Sequence, residues 1–291
     1  MNGGSGATAT ADQAAPVLRA PASVPAALAG RTVLVTRPLA QSEGLAAAIR
    51  AQGGAVWLFP AIEVLPVEGF DELDRALGSL ASYDLVVFVS INAVSHAAAR
   101  AAFLGCADLS AIRCAAAPGP ATAVAARQAG CGRVIVPETR FDSEGLVAAL
   151  GAAGARVARV LILRGASTAA GAVAGDGREL LHRWLRAQGA LVDSVACYRR
   201  RRAAPAPAVL AALAGGQTPD AIVITSSEGA RHLAEMVGRS SMARLQNVPA
   251  FVPHARIGVS LRELGMRQVH VTAGGDAGVM RGLTAHFGGR A

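Results

Sequence analysis

The sequence predicts an α/β protein made of two parallel-sheet units with a cleft between them. Three observations lead there. The second half of the chain repeats the first, both halves alternate short apolar strands with Ala-rich helices, and hydrophobic residues at 52% against charged residues at 16% supply material for two cores. Arg50-Ala-Gln-Gly53 recurs as Arg186-Ala-Gln-Gly189, and Asp84, Ser90 and His96 recur as Asp220, Ser226 and His232, each 136 positions on. Pro118, Gly130, Val134 and Val136 return as Pro253, Gly265, Val269 and Val271, each 135 positions on. Solenoid repeats have periods of roughly 20 to 50 residues, so this one duplicates a whole α/β unit. Clefts between such units favour small ligands.

Each element has a local reason. Arg31 to Arg37 is β-branched and ends at Pro38, which reads as a strand and a turn. Gln41 to Gln52 places Leu45 and Ile49 on one helical face, and Gly53-Gly54 stops it. Val56 to Phe59 is the next strand, and the alternation of Ile62 to Pro66 suggests a thinner ribbon. A helix from Phe70 to Leu80 leads to the stretch from Asp84 to Val89, apolar throughout like a strand covered on both faces, after which Ser90 caps a helix beginning near Ile91. Three similar units follow. Strand Ile112 to Ala117 precedes a helix after Pro120, Arg133 to Val136 a helix after Ser143, and Val160 to Leu163 a helix from Arg178 to Gln188. Further strands are expected near Leu191 to Tyr198, Ala221 to Thr225, Ala250 to Val252 and Gln268 to Thr272. Helices are expected near Ser227 to Gly238, Arg256 to Leu264 and Asp276 to Phe287. Sites in parallel sheets lie beyond the carboxyl ends of the strands.

Composition narrows the function. A net charge of +8 favours an anionic partner, whereas 4% aromatic residues argue against a surface that stacks nucleic-acid bases. The arginines are mostly scattered, with Arg199 to Arg202 the notable run. Cys106, Cys114, Cys131 and Cys197 have no CxxC spacing, so buried thiols in a reducing cytoplasm are expected. Residues 1–30 read as a disordered tail, not a signal peptide, and Gly, Pro or charge interrupts every apolar stretch short of the roughly 18 residues of a membrane span. Neither GxGxxG after a strand, nor a P-loop, nor a GxSxG elbow is present. His96 and His232 lack a second ligand at metal spacing, so no metal is expected.

What remains is a set of strand-to-helix loops: Ser90-Ile-Asn92, Pro118-Gly119-Pro120-Ala121-Thr122, Asp142-Ser143-Glu144-Gly145 and Ser226-Ser227-Glu228. Their unpaired N–H groups suit carboxylate or phosphate, and plain helix capping is the competing reading of each. Arg37 and Arg164 each end a strand at equivalent places in the repeat, where a guanidinium can form a forked pair with a carboxylate. His254 precedes a helix at the same edge. Tyr198 ends a strand just before the four arginines, whose charge would lower a phenol's pKa; packing at a domain joint is the alternative.

Taken together, Val-Thr-Arg37-Pro38, Phe88-Val-Ser90-Ile-Asn92-Ala-Val94, Gly119-Pro-Ala-Thr122-Ala, Ser143-Glu-Gly145-Leu, Leu161-Ile-Leu-Arg164-Gly165, Tyr198-Arg-Arg and Thr225-Ser-Ser227-Glu-Gly229 resemble uroporphyrinogen-III synthases, in order and spacing, from about Arg31 to Phe287. Val89 stands where that family often has threonine, and the segment from Ala166 to Gly177 is longer and richer in Ala and Gly than the family's.

The resemblance implies two flavodoxin-like lobes joined by a two-stranded ribbon. One lobe is discontinuous, residues 31–66 with 203–287, the other is 67–202, and the ribbon pairs about 62–67 with 195–199. It also implies a cofactor-independent lyase of tetrapyrrole (heme) biosynthesis, cytoplasmic and monomeric, without nucleic-acid or membrane partners. The substrate would be hydroxymethylbilane, a chain of four pyrroles with eight carboxylates, received from the upstream bilane-forming enzyme. Tyr198 would donate to the departing hydroxyl. Thr36, Arg37, Ser90, Asn92, Ala93, Gly119, Thr122, Ser143, Arg164, Gly165, Ser226, Ser227 and His254 would hold the substrate. A two-lobed sensor that closes on an anionic metabolite without turnover is the competing function.

Overall fold

The structure, a computed structural model, describes residues 26–154, 157–166 and 176–288. In chain order the elements are β1 (Thr32–Val35), α1 (Glu43–Ala51), β2 (Ala55–Leu58), β3 (Ile62–Pro66), α2 (Asp71–Gly78), β4 (Leu85–Phe88), α3 (Ile91–Phe103), β5 (Cys114–Ala116), α4 (Pro120–Gln128), β6 (Arg133–Ile135) and α5 (Ser143–Ala152). There follow β7 (Arg159–Gly165), α6 (Asp176–Ala187), β8 (Leu191–Arg202), α7 (Pro207–Ala214), β9 (Ala221–Val223), α8 (Ser227–Leu245), β10 (Ala250–Val252), α9 (Ala255–Glu263), β11 (Val269–Val271) and α10 (Gly275–Gly288).

These strands form two sheets. One has the order β11-β10-β9-β1-β2 and the other β3-β8-β7-β4-β5-β6, and every pair is parallel except β3 with β8. Alternate residues of the strands enter cores on opposite faces. Val33 and Val35 lie in one cluster and Leu34 in another, and Leu85 and Val87 lie opposite Val86 and Phe88. Burial on both faces explains why β4 is apolar throughout, each such side chain contributing about 1.5–3 kcal/mol.

The sequence repeat has a structural meaning here. The five strands β2-β1-β9-β10-β11 match β8-β7-β4-β5-β6 in order, so each sheet takes two strands from one copy and three from the other. Repeated residues do the same work in both. Asp84 accepts the N–H groups of Ala158 and Arg159 (2.8 and 2.9 Å) and so holds the start of β7, while Asp220 accepts the N–H of Thr32 at the start of β1 (2.8 Å).

The structure corrects three local expectations. Leu28, assigned to the disordered tail, is fully buried and its N–H donates to the Gln52 carbonyl, because an apolar side chain beside α1 completes that core; residues 1–25 lie outside the described residues. Helix α7 is absent from the elements the sequence predicts; its Pro207 sits in the first turn, where the missing N–H is harmless. The expected helix from Ser227 does end at Gly238, where the backbone leaves helical geometry (φ 74°, ψ 168°), and a second helical stretch with Met242 and Leu245 buried follows within α8. The strand β8 continues to Arg202, so β3 pairs with residues 198–202 instead of the stretch beginning at Val195, which is still bonded to β7. Most of the Ala- and Gly-rich segment from Ala166 to Gly177 lies outside the described residues.

Candidate active site

Helices α3, α4, α5, α8 and α9 all begin where a parallel strand ends, which collects their N-termini along the carboxyl edges of the two sheets. Ser90 caps α3 by accepting the Ala93 N–H (3.3 Å), and Ser226 caps α8 by accepting the Gly229 N–H (2.9 Å). The third hydroxyl loop differs from expectation: Asp142, not Ser143, caps α5, accepting the Gly145 N–H at 2.9 Å. Burial pushes the Asp142 carboxyl up, but the Gly145 N–H and the Arg140 guanidinium outweigh it and hold the pKa below the ordinary value. That helix end therefore already carries an anion, and the Ser143 hydroxyl is left for the cavity described below.

Tyr198 is placed by an irregularity in β8. Arg164 pairs with Ala196 but Gly165 pairs with Tyr198, so Cys197 is an extra residue and the bulge turns Cys197 and Tyr198 into the same core. The Tyr198 side chain is buried at 3% exposure, its Oη lies 3.0 Å from Ser90 Oγ, and its ring stacks on His96 at 5.7 Å. Burial holds the His96 imidazole below its ordinary pKa. A Cβ on Gly165 would lie 2.8 Å from two atoms of the Tyr198 ring, so this glycine clears space for the phenol. Burial also pushes the Cys197 thiol up to about 12, which makes it a packing group.

Around Tyr198 lies a cavity of about 330 Å³ whose wall includes Ser90, Ser143, Arg164, His182, Arg200 and Arg256. All but Arg256 come from the β3–β8 sheet and its helices; Arg256 belongs to α9 of the other sheet, so the cavity lies between the two units. Arg164 donates to Ser194 Oγ (2.8 Å) and to the Gly165 carbonyl (3.1 Å), and no described carboxylate pairs with it or with Arg256. The arrangement can hold carboxylates and present one phenol to a bound molecule.

Other expected residues are not among those that line this cavity. Thr36 is buried and donates to the Val223 carbonyl (3.0 Å), and Arg37 pairs with Asp276 of α10. Asn92 accepts from Gln41 at 2.6 Å, a contact between the two units. Ala93 and Thr122 are buried, Gly119 is the extended N-cap of α4, and His254 is the exposed N-cap of α9 without a capping bond. Ser227 keeps a buried hydroxyl without a partner among the described residues. The four arginines do not form a field of unpaired positive charge beside Tyr198. Arg199, Arg200, Arg201 and Arg202 pair with Glu68, Glu228, Glu63 and Glu235 at 3.4, 3.3, 2.7 and 2.9 Å, because alternate strand residues face opposite acidic elements. His182 and Arg256 were not singled out from sequence, and Arg200 only as part of the run from Arg199 to Arg202. A signal existed for Arg256, beside His254 ahead of a helix, and none for His182 within its helix. Among the described residues no His, Cys, Asp and Glu group is placed to hold a metal ion, and no helix is long and apolar enough to cross a membrane.

Fold and site together define a two-unit α/β protein with an arginine-lined cavity at the carboxyl edges of its sheets and one buried tyrosine at its wall. Residues 43–277 match the family model of the uroporphyrinogen-III synthase HemD, and the chain belongs to that family. It is 36% identical over 176 residues to the uroporphyrinogen-III synthase of Synechococcus elongatus, covering 60% of this chain and 62% of that one, and 29% identical over 251 residues to that of Escherichia coli, covering 84% and 96%. Among solved structures it shares its fold with a mutant uroporphyrinogen III synthase from the extremely thermophilic bacterium Thermus thermophilus (TM-score 0.56, 19% identity, 90% of this chain and 100% of that one). The uroporphyrinogen-III synthetase of Helicobacter pylori has the same fold (TM-score 0.55, 13% identity, 88% and 99%).

Proposed function

We propose that the chain is a lyase that closes hydroxymethylbilane to uroporphyrinogen III and water. The observation that carries this reading, beside family membership, is the Tyr198–Ser90 hydrogen bond at the wall of a cavity that Arg164 and Arg256 make cationic. Ser90 Oγ already accepts from the Ala93 amide; by donating its own hydrogen to Tyr198 Oη it leaves the phenol O–H for the substrate. Tyr198 then protonates the departing hydroxyl, and the pyrrole nitrogen supplies the electrons that leave an azafulvene protonated on nitrogen. The substituted carbon of the last ring attacks, a spiro intermediate forms and fragments, and the ring recloses inverted. In solution the bilane can close without inversion, so the cavity must fix one folded conformer.

Arg164, Ser143 and the amides of α3, α4 and α8 hold carboxylates in this reading. In this reading the enzyme acts in the cytoplasm, which the four free cysteines support, and as a monomer takes its substrate from a bilane-forming enzyme. The test is to supply fresh hydroxymethylbilane, oxidise the products and resolve the porphyrins. Isomer III is expected to dominate, and isomer I alone at the protein-free rate would leave a binding module without turnover. Tyr198→Phe is expected to lower kcat about 100-fold with little change in KM, the size of a lost proton donor; a wild-type rate and isomer ratio would remove its chemical role.

A further inference from the structure

His182 lines the same cavity as Tyr198, and no step above uses it. Burial, then Arg186 on its own helix and Arg164 from β7, hold its imidazole below the ordinary histidine value. Arg200 from β8, Arg256 from α9, Tyr198, Ser143 on α5 and Ser90 at the start of α3 complete the polar groups around the cavity. At neutral pH the ring is therefore uncharged and has a lone pair to offer. His96, also uncharged, stacks on the Tyr198 ring and is not part of the cavity wall.

The reaction proposed above, on which this inference rests, leaves one proton unaccounted for. Tyr198 gives a proton to the hydroxyl as the C–O bond breaks and water departs. The carbon rearrangement returns none until the last step, when the unsubstituted α-carbon of the inverted ring bonds to the electrophilic methylene and must shed its hydrogen. We propose that His182 is the base for that step. Its ring nitrogen takes the proton, the C–H electron pair restores the pyrrole, and the imidazolium returns the proton through solvent to the Tyr198 phenolate. One proton is delivered and one recovered, so water is the sole by-product.

The experiment is the pH profile of kcat for wild type, His182→Gln and His182→Ala, with porphyrin isomers resolved. Wild-type formation of isomer III tests the underlying reading by itself; isomer I alone from wild type ends that reading and this inference with it. With active wild type, His182→Gln is expected to lower kcat about 100-fold while KM stays within about threefold. Wild-type kcat should fall as the pH drops through the imidazole's pKa, since a protonated ring cannot accept, and this limb should be absent in His182→Gln. Added imidazole should restore His182→Ala in proportion to its free-base concentration, a readout that a purely structural role would not move. Unchanged kcat in His182→Gln, or a retained acidic limb together with no rescue of His182→Ala, overturns the assignment.

Discussion

Gly165 and Tyr198 are neighbours through space because a single extra residue, Cys197, shifts the pairing of β8. The phenol reaches Ser90 only while its ring lies over a backbone without a Cβ. Gly165→Ala would force a methyl to 2.8 Å from a buried ring. Overpacking of that kind costs roughly 1–3 kcal/mol, and here the ring moves off its Ser90 partner as well. The variant should melt lower and lose kcat together; an unchanged kcat would show that the phenol's position is not held by this contact. The sequence marks Gly165 as part of a motif without revealing this purpose, because the close approach comes from a strand partner more than thirty residues away.

At the scale of elements, most strands and helices were legible because each carries its own signal: apolar β-branched runs, then a capping residue, then an Ala-rich face. What was not legible depended on partners. The charged run from Arg199 to Arg202 joins a strand because β3 offers it an edge and acids on both sides neutralise it. Asp84 shows how one side chain ties elements together. The N–H groups of Arg159 and Ala158 hold its carboxyl below the ordinary value. A depressed folded-state pKa means that the unfolded chain binds the proton more readily. The stabilisation is therefore fully present above the unfolded value and is lost as the pH falls through the folded one. Melting temperatures taken from about pH 5 down to pH 2 should fall more steeply for wild type than for Asp84→Asn; parallel curves would exclude the linkage.

Across the whole molecule the excess charge is entirely guanidinium, since all 28 Lys+Arg positions are arginine. Arginine suits forked binding of carboxylates, and many of these side chains already serve internal acids, Arg37 with Asp276 and Arg100 with Asp74 among them. In the proposed function, substrate attraction then rests on the net field and on Arg164 and Arg256 at the cavity. Raising the ionic strength from about 0.05 to 0.5 M should raise KM several-fold and leave kcat nearly unchanged, because screening weakens encounter and not chemistry. A salt-independent KM would place recognition in the loop amides alone.

The sequence by itself determined the α/β class, the duplication and the strand-to-helix loops, and it singled out Ser90, Arg164 and Tyr198, which line one cavity, since periodicity, caps and spacing are local or repeated properties. Tertiary structure decided how the copies are shared. Each sheet mixes strands of both, and the offset of 136 residues is silent about which strands pair. It also decided that Arg37 serves Asp276, that Thr36 serves the sheet, and that His182 and Arg256 stand beside Tyr198. Those outcomes depend on hydrogen bonds and burial between segments far apart in the chain, and no local pattern encodes which distant group a side chain will meet.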